Sequence, residues 1–429
     1  MLIMTDDQPP DTLSFMPNVQ EELIENGALF ENAFVSTPLC SPSRASILTG
    51  KYASNHGVLI NRPPEGGAPA FDDISTIATW LDDAGYNTSF MGKYLNDYDA
   101  VSPFGYIPPG WDDWQVFIEG PFPNKYFYNY TLNENGDLVE YGKEEEDYSS
   151  DVLNSKAVDF IHESKDEPFF LVLSYYAPHY PRKFAERHRD MFQTPDQIAP
   201  RRPENFNEED MSDKPEWIHD RKFAIWHRMD KIYQQALRSL MAVDDGVGEV
   251  MQALDDIGQR ENTMIIYMSD NGIAWGEHRL TGGKNCPYEE CIQIPFIIYY
   301  PRLNREGRSC DQMVLNIDVA PTIAQVAGIE IPKSVDGVSL VPLMDKCDGE
   351  FRSDFLIEHW PTKKGSGSKI PKFRAIRTKN WKYVEYETGE IELYDIFTDK
   401  SELNNLSYKD NYRSIIEQLD SRLDEILNK

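Results

Sequence analysis

The 429-residue chain carries 42 Lys+Arg against 72 Asp+Glu, a formal net charge of −30, and 40% of its residues are hydrophobic. This composition belongs to a globular protein whose core needs no disulfide staples, and it excludes disordered and fibrous chains. The acidic balance excludes a general nucleic-acid binder, which needs a basic footprint to displace counterions. It also disfavours adhesion to anionic membranes and reads as a solvated surface.

The chain opens on Leu2-Ile3-Met4-Thr5-Asp6-Asp7, an apolar run ending in two acids. This opening lacks signal-peptide form and reads as a β-strand entered partway, so a leader and the start of the strand are expected to precede it. Further strands are predicted at 88–91, 169–175, 264–269 and 296–300, several of them apolar throughout, as strands buried on both faces are. The richest apolar run, Phe169 to Ala177, is interrupted by Ser174 and falls far short of the roughly 20 residues of a membrane span. Helices predicted at 16–26, 43–50, 74–84, 150–163 and about 223–257 alternate with these strands. The alternation predicts an α/β domain over residues 1–347 with a doubly wound, mostly parallel sheet, whose ligands gather at the carboxyl ends of the strands. Residues 204–215 are polar and read as a loop. After Cys347 come short strands at 355–358, 373–377, 382–386 and 391–394, then an amphipathic helix at 411–427. They predict a small C-terminal α+β subdomain with an antiparallel sheet over 348–429.

Five cysteines (Cys40, Cys286, Cys291, Cys310 and Cys347) are an odd number without CxxC spacing. They predict no zinc cluster and require no disulfide framework. The sequons at Asn87, Asn129 and Asn405 occur at chance frequency and say nothing about secretion.

Two predicted strands end in the same chemistry, Thr5-Asp6-Asp7 and Ser269-Asp270-Asn271-Gly272. Their donors are all oxygens, which suits Ca²⁺ or Mg²⁺ rather than zinc. Each stretch taken alone is equally an ordinary strand-end turn, because Asp, Asn and Gly favour turns. The more specific stretch is Cys40-Ser41-Pro42-Ser43-Arg44, running on to Leu48-Thr49-Gly50-Lys51. Pro42 suits the first helical position and Gly50 a helix terminator, which puts Cys40 at a helix N-terminus where free N–H groups favour negative charge. Arg44, a turn further on, adds a bidentate anion donor. The stretch reads as a nucleophile in an anion pocket, or, as a lone CxPxR, as a helix cap beside a surface arginine.

Together with Thr5-Asp6-Asp7-Gln8, Gly92-Lys93-Tyr94, Ala177-Pro178-His179, Ser269-Asp270-Asn271-Gly272 and Gly283-Lys284, this motif resembles the type I sulfatases over nearly the whole chain. Leu393-Tyr394-Asp395 and Glu402-Leu403-Asn404-Asn405-Leu406 echo the family near the C-terminus. Gly92-Lys93-Tyr94-Leu95-Asn96 and Tyr128-Asn129-Tyr130-Thr131 look closest to the N-acetylglucosamine-6-sulfatase branch. The resemblance implies an alkaline phosphatase-like fold and hydrolysis of a sulfate monoester of a sulfated sugar such as a glycosaminoglycan unit. The nucleophile it implies is a formylglycine made from Cys40 by a formylglycine-generating enzyme. It further implies one Ca²⁺, with Mg²⁺ as the alternative, on Asp6, Asp7, Asp270, Asn271 and the modified Cys40. Arg44 would hold the formylglycine hydrate, Lys93 and Lys284 would clamp sulfate oxygens, and His179 would protonate the leaving oxygen. A secreted, periplasmic or lysosomal-like location is implied in the same way. Without the resemblance, Lys93 and Lys284 read as surface lysines and His179 as a turn residue between Pro178 and Pro181.

Leu95 departs from the family pattern, because many members place there a histidine that helps expel sulfate. His56, within Asn55-His56-Gly57, is the expected substitute, with a turn-anchoring histidine as the competing reading. The stretch from Lys363 to Lys382 holds eight Lys/Arg and no acid. It reads as a solvated Gly/Ser loop and surface strand in preference to a pocket border that draws in an anionic substrate. His359 and Trp360 are sugar-contact candidates by position alone. The −30 surface repels polyanions, so a small or terminal sulfated unit is the expected substrate. Two other classes remain: a phosphodiester or phosphonate monoester hydrolase of the same superfamily, and a silent binding protein, which the complete set of nucleophile, ligands and lysines disfavours.

Overall fold

The computed structural model describes residues 1–427 apart from 102–104, 119–125, 195–196, 305, 350 and 362–369. Its frame is a ten-stranded mixed sheet of β1 (Leu2–Thr5), β2 (Ala28–Phe30), β3 (Asn87–Gly92), β4 (Asp113–Ile118), β5 (Thr131–Glu134), β6 (Asp137–Glu140), β7 (Phe169–Ser174), β8 (Ile265–Ser269), β9 (Phe296–Tyr299) and β10 (Arg308–Cys310). The spatial order is β10-β2-β9-β8-β1-β7-β3-β4-β5-β6. The five consecutive strands β8-β1-β7-β3-β4 run parallel, and antiparallel pairs extend the sheet on both sides.

Alternate residues of the central strands enter two separate cores. Leu2, Met4, Phe90, Val172 and Ile266 share one, while Ile3, Met91, Leu171 and Tyr267 share the other. Both faces are therefore covered, which is why these strands are apolar throughout instead of alternating. Helices α1 (Cys40–Thr49), α2 (Ala53–His56), α3 (Ile77–Asp82), α4 (Ser149–Glu163), α5 (Trp226–Asp256) and α6 (Val319–Val326) supply the outer layers. Ala45, Ile47 and Leu48 of α1, Ile77 and Leu81 of α3 and Val319 and Ile323 of α6 join the first core; Leu153 and Phe160 of α4 and Val243, Val247 and Leu254 of α5 join the second. Each fully buried Leu, Val or Phe side chain contributes about 1.5–3 kcal/mol.

Two helix expectations are adjusted. The segment expected at 16–26 is helical over residues 17–24, with Val19–Ile24 as a widened turn. Its start is pinned by Asp244, whose carboxylate accepts the Val19 N–H at 2.9 Å and the Asn18 N–H at 3.1 Å. Helix α1 begins at Cys40, earlier than expected, so Pro42 sits third in the first turn. That position still needs no N–H, because the first-turn donors have no partner within the helix. Gly50 ends α1 with φ +69°, and a Cβ there would lie 2.8 Å from Val335.

The C-terminal meander comprises β11 (Asp354–His359), β12 (Phe373–Thr378), β13 (Trp381–Tyr386) and β14 (Ile391–Asp395), all antiparallel. Leu356, Ile376, Tyr383 and Leu393 pack against Leu419 and Leu423 of α7 (Arg413–Leu427). The opposite face, with Phe355, Ile357, Phe373 and Val384, belongs to the same core as α1. Ion pairs reinforce that seam: buried Lys382 reaches Glu289 and Glu402, each at 2.7 Å, and Arg377 reaches Glu289 at 3.0 Å. Arg377 and Lys382 of the basic island thus tie the meander to the short helix Glu289–Ile292, while Arg374 pairs within the meander with Glu385 at 3.1 Å. Lys363, Lys364, Lys369 and residues 365–368 lie outside the described residues.

The cysteines pair in a way their spacing does not reveal. Cys286 is bonded to Cys291 and Cys310 to Cys347, leaving Cys40 as the free, buried thiol. Among the described residues, no helix is long and apolar enough to cross a membrane.

Candidate active site

Because β1 lies between β7 and β8 in register, the acids that follow β1 and β8 emerge side by side. The Asp270 N–H donates to Thr5 O at 3.0 Å, the Asp7 N–H to Asp270 Oδ1 at 3.2 Å, and Asn271 Nδ2 to Asp7 Oδ1 at 2.6 Å. Asp7 takes a left-handed conformation with φ 65°, which a short polar side chain tolerates. Asp6, Asp7, Asp270 and Asn271 are all buried.

The N-terminus of α1 brings Cys40 to the same place. Its Sγ lies 3.7 Å from Asp6 Oδ1 and 2.8 Å from Lys284 Nζ, and that ammonium also lies 2.8 Å from Asp7 Oδ1. Lys93, which follows β3, pairs with Asp6 Oδ2 and sits 5.3 Å over the Tyr176 ring. Arg44, one turn into α1 and 1% exposed, donates through Nε to Asp270 Oδ2 at 2.8 Å. Its fork also donates to Ser174 Oγ at 2.8 Å and to Lys93 O. His179, on the loop after β7, has Nδ1 2.8 Å from Tyr180 O and Nε2 3.6 Å from Asp7 Oδ2. A carbonyl can only accept, so Nδ1 carries hydrogen and Nε2 is the nitrogen free to exchange a proton.

The local electrostatics follow from burial and charge together. Burial pushes the Asp6 carboxyl up, but Lys93, His179, Lys284 and Arg44 together hold it below the usual range. Burial, with Asp6 alongside, pushes Asp270 up to about 6 despite Arg44. Burial likewise pushes the Cys40 thiol up to about 11, more than Lys284 and Lys93 offset. As an unmodified thiol, Cys40 is therefore protonated and a poor nucleophile near neutral pH.

The donor set fits a hard divalent cation. Asp6, Cys40 and Asp270 place one ligand atom each within 4.8 Å of one another, as do Asp6, Asp7 and His179. Asn271 Nδ2 is engaged by Asp7 and Gly272 O, while its Oδ1 is buried with no hydrogen-bond donor among the described residues. A buried carbonyl-type oxygen left without a donor beside three carboxylates is what such an ion requires.

Nine of the residues singled out in the sequence thus converge: Asp6, Asp7, Cys40, Arg44, Lys93, His179, Asp270, Asn271 and Lys284. His56 is not brought to them. Its ring lies behind α1, with Nε2 3.0 Å from Ser46 Oγ and Nδ1 accepting the Val58 N–H at 3.1 Å. Burial lowers its pKa to about 3, so folding favours the neutral ring. The unfolded chain takes up this proton first, and the stability His56 confers is present above about pH 6.5 and lost as pH falls towards 3. Urea unfolding should therefore show His56→Gln losing about 1–2 kcal/mol less than the parent between pH 7 and pH 5. Equal losses in the two proteins would refute this. Leu95 is buried in the first core, and His359 is turned inward, with its ring stacked 5.2 Å from Phe373.

Three contributors escaped the sequence reading. Ser174 Oγ donates to Lys93 O at 2.7 Å while accepting from Arg44. Its available signal was being the one polar residue inside a buried apolar strand. Tyr176 carries Lys93 on its ring and lies 4.7 Å from the His179 ring. Arg182 is buried on the same loop, and nothing in its spacing marked it.

Comparison with known proteins adds a second line of observation. Residues 2–329 match the family described as Sulfatase, and residues 276–429 match that described as N-sulphoglucosamine sulphohydrolase, C-terminal. The chain is 35% identical over 393 residues to a putative extracellular sulfatase Sulf-1 homolog of Caenorhabditis elegans, covering 88% of this chain and 54% of that protein. It therefore spans about half the length of that relative. It is 32% identical over 457 residues to an N-acetylglucosamine-6-sulfatase of Capra hircus, covering 95% of this chain and 79% of that protein. A solved structure of a protein in complex with its substrate, D-glucosamine-2-N,6-O-disulfate, superposes with TM-score 0.86 at 24% identity, covering 100% of this chain and 97% of that one.

Proposed function

The chain belongs to the sulfatase family, and on that premise we propose that its site hydrolyses the sulfate monoester of a small or terminal amino-sugar unit, 6-sulfated glucosamine being the expected class. The nucleophile in this reading is a formylglycine made from Cys40 by a formylglycine-generating enzyme. Asp6, Asp7, Asp270 and Asn271 would hold one Ca²⁺, with Mg²⁺ as the alternative. The observation that carries the proposal is the buried convergence of Cys40 with Lys284 and Asp6 at the N-terminus of α1, backed by Arg44.

Each role follows from the residue's surroundings. The hydrate of formylglycine offers a hydroxyl where the thiol of Cys40 is held protonated. Arg44 keeps a permanent charge behind residue 40, because Asp270, Ser174 and the Lys93 carbonyl fix its fork. Lys93 and Lys284 transfer from Asp6 and Asp7 to the sulfate oxygens and stabilise the charge that develops there. His179 Nε2 gives its proton to the departing sugar oxygen. A divalent cation would polarise the sulfate ester and lower the pKa of the attacking hydroxyl. Three carboxylates (Asp6, Asp7, Asp270) and three cations (Arg44, Lys93, Lys284) sum to zero, so a dication leaves two positive charges. One sulfate monoanion and one ionised nucleophile match that surplus while His179 is neutral, and the proton that His179 Nε2 delivers adds one further positive charge.

The test is to coproduce the chain with a formylglycine-generating enzyme and weigh the Cys40 peptide. The same protein is assayed on N-acetylglucosamine 6-sulfate, an aryl phosphodiester and an aryl phosphonate. An aldehyde at residue 40, preferred sulfate release, and at least a 100-fold loss on chelation that Ca²⁺ restores are expected. Full activity with a persistent thiol, or faster phosphodiester or phosphonate cleavage, would overturn the proposal.

A further inference from the structure

Six Lys and Arg residues are buried among the described residues: Arg44, Lys93, Arg182, Lys214, Arg377 and Lys382. Five of them have a carboxylate partner: Asp270 for Arg44, Asp6 for Lys93, Glu208 for Lys214, and Glu289 for Arg377 and Lys382. Arg182 is the exception. It is 7% exposed, and among the described residues its Nε has no hydrogen-bond partner and its guanidinium carbon lies 5.8 Å from the Trp275 ring. A buried guanidinium without a counterion is costly to fold, and its planar fork matches a sulfate or carboxylate.

The placement of Arg182 ties it to the catalytic cluster without making it part of the sulfate clamp. Its N–H donates to His179 O at 3.0 Å, so the candidate acid and this arginine share one turn. The backbone there is left-handed, with φ 58°, which is unusual for arginine and signals a conformation imposed by the loop. Tyr180, between the two, is 58% exposed, so the loop reaches solvent. Asp7 is the carboxylate that acts on the Arg182 charge, without a hydrogen bond or ion pair between them. Arg182 is thus tied to the cluster through the turn it shares with His179, the candidate leaving-group acid.

We propose that Arg182 receives a second anionic group of the substrate, so that the preferred sulfate ester carries another sulfate or a carboxylate on the leaving sugar. This inference rests on the sulfatase reading and narrows its substrate class. It also accounts for a charge that is buried without a partner on a loop that otherwise serves catalysis.

The experiment compares glucosamine-2-N,6-O-disulfate with N-acetylglucosamine 6-sulfate, both assayed for release of the 6-sulfate by the formylglycine-bearing protein and its Arg182→Met and Arg182→Lys variants. The parent is expected to prefer the disulfate. Arg182→Met should lower kcat/KM for the disulfate about 10- to 100-fold more than for the monosulfate, chiefly through KM, and Arg182→Lys should recover part of the difference. A glucuronate-linked 6-sulfate, tested alongside, distinguishes a carboxylate from a sulfate as the second anion. The ratio between substrates is internal to each variant, so partial unfolding, which lowers both rates alike, cannot imitate the result. Equal loss on both substrates, or no preference in the parent, would overturn the role of Arg182 while leaving the sulfatase reading intact. Failure of the formylglycine-bearing parent to cleave any sulfate ester would overturn both.

Discussion

Replacing Cys40 with alanine is expected to abolish multiple-turnover sulfate release, by on the order of 10⁴-fold or more, while the fold survives. The Cys40 Sγ is buried, and its polar contacts are Lys284 Nζ and Asp6 Oδ1, so its removal strands neither group: Lys284 retains Asp7 and Asp6 retains Lys93. Alanine also keeps the first turn of α1 helical. Steady-state kinetics with a thermal melt checks both halves. A Cys40→Ala protein that melts like the parent and keeps a tenth of its rate would remove residue 40 from the chemistry.

Arg44→Ala should be as damaging to turnover and far more damaging to stability. Arg44 is the counterion of Asp270 and the donor to both Ser174 Oγ and the Lys93 carbonyl. Truncation leaves a buried carboxylate without its counterion and takes a charged donor from Ser174 Oγ and from the Lys93 carbonyl, which keep only the bond between themselves, for a loss of about 3–5 kcal/mol. Arg44→Lys should recover only part of this, because a single ammonium cannot span Asp270 and Ser174 as the planar fork does. Urea unfolding of the three proteins in chelator, where no cation can substitute for the lost charge, is the appropriate measurement. A loss below about 1 kcal/mol for Arg44→Ala would show that the pair is not a structural keystone.

How much of this was legible differs from residue to residue. Asp6-Asp7 and Asp270-Asn271 stood at the ends of two apolar runs, and the rule that ligands gather at the carboxyl ends of parallel strands sufficed to bring them together. Cys40 and Arg44 were legible as a helix start with a cation one turn on. His56 was not, because a histidine beside a glycine has the same local signature whether it faces a site or anchors a turn. In the fold its two nitrogens go to Ser46 and Val58. His359 was misjudged for a related reason: its place beside Trp360 said nothing about which face of β11 it occupies, and it packs inward on Phe373. The disulfides between Cys286 and Cys291 and between Cys310 and Cys347 had no spacing rule to announce them.

The alternation of apolar strands with helical stretches determined an α/β sheet protein by itself, because hydrophobic period and strand-end chemistry are local properties of the chain. The same locality makes the oxygen-donor acids and the Cys40 helix start readable without coordinates. Which cations are paired and which are not is a property of three-dimensional neighbours, and only the tertiary structure decided it. It placed Lys93 against Asp6, Lys284 between Asp7 and Cys40, and Lys382 in the seam with the C-terminal meander. Among the described residues it left Arg182 buried beside Trp275 with no carboxylate to meet it. The opening sum of −30 could not contain that distinction, since a net charge counts ions without saying which of them water, a partner or a substrate must neutralise.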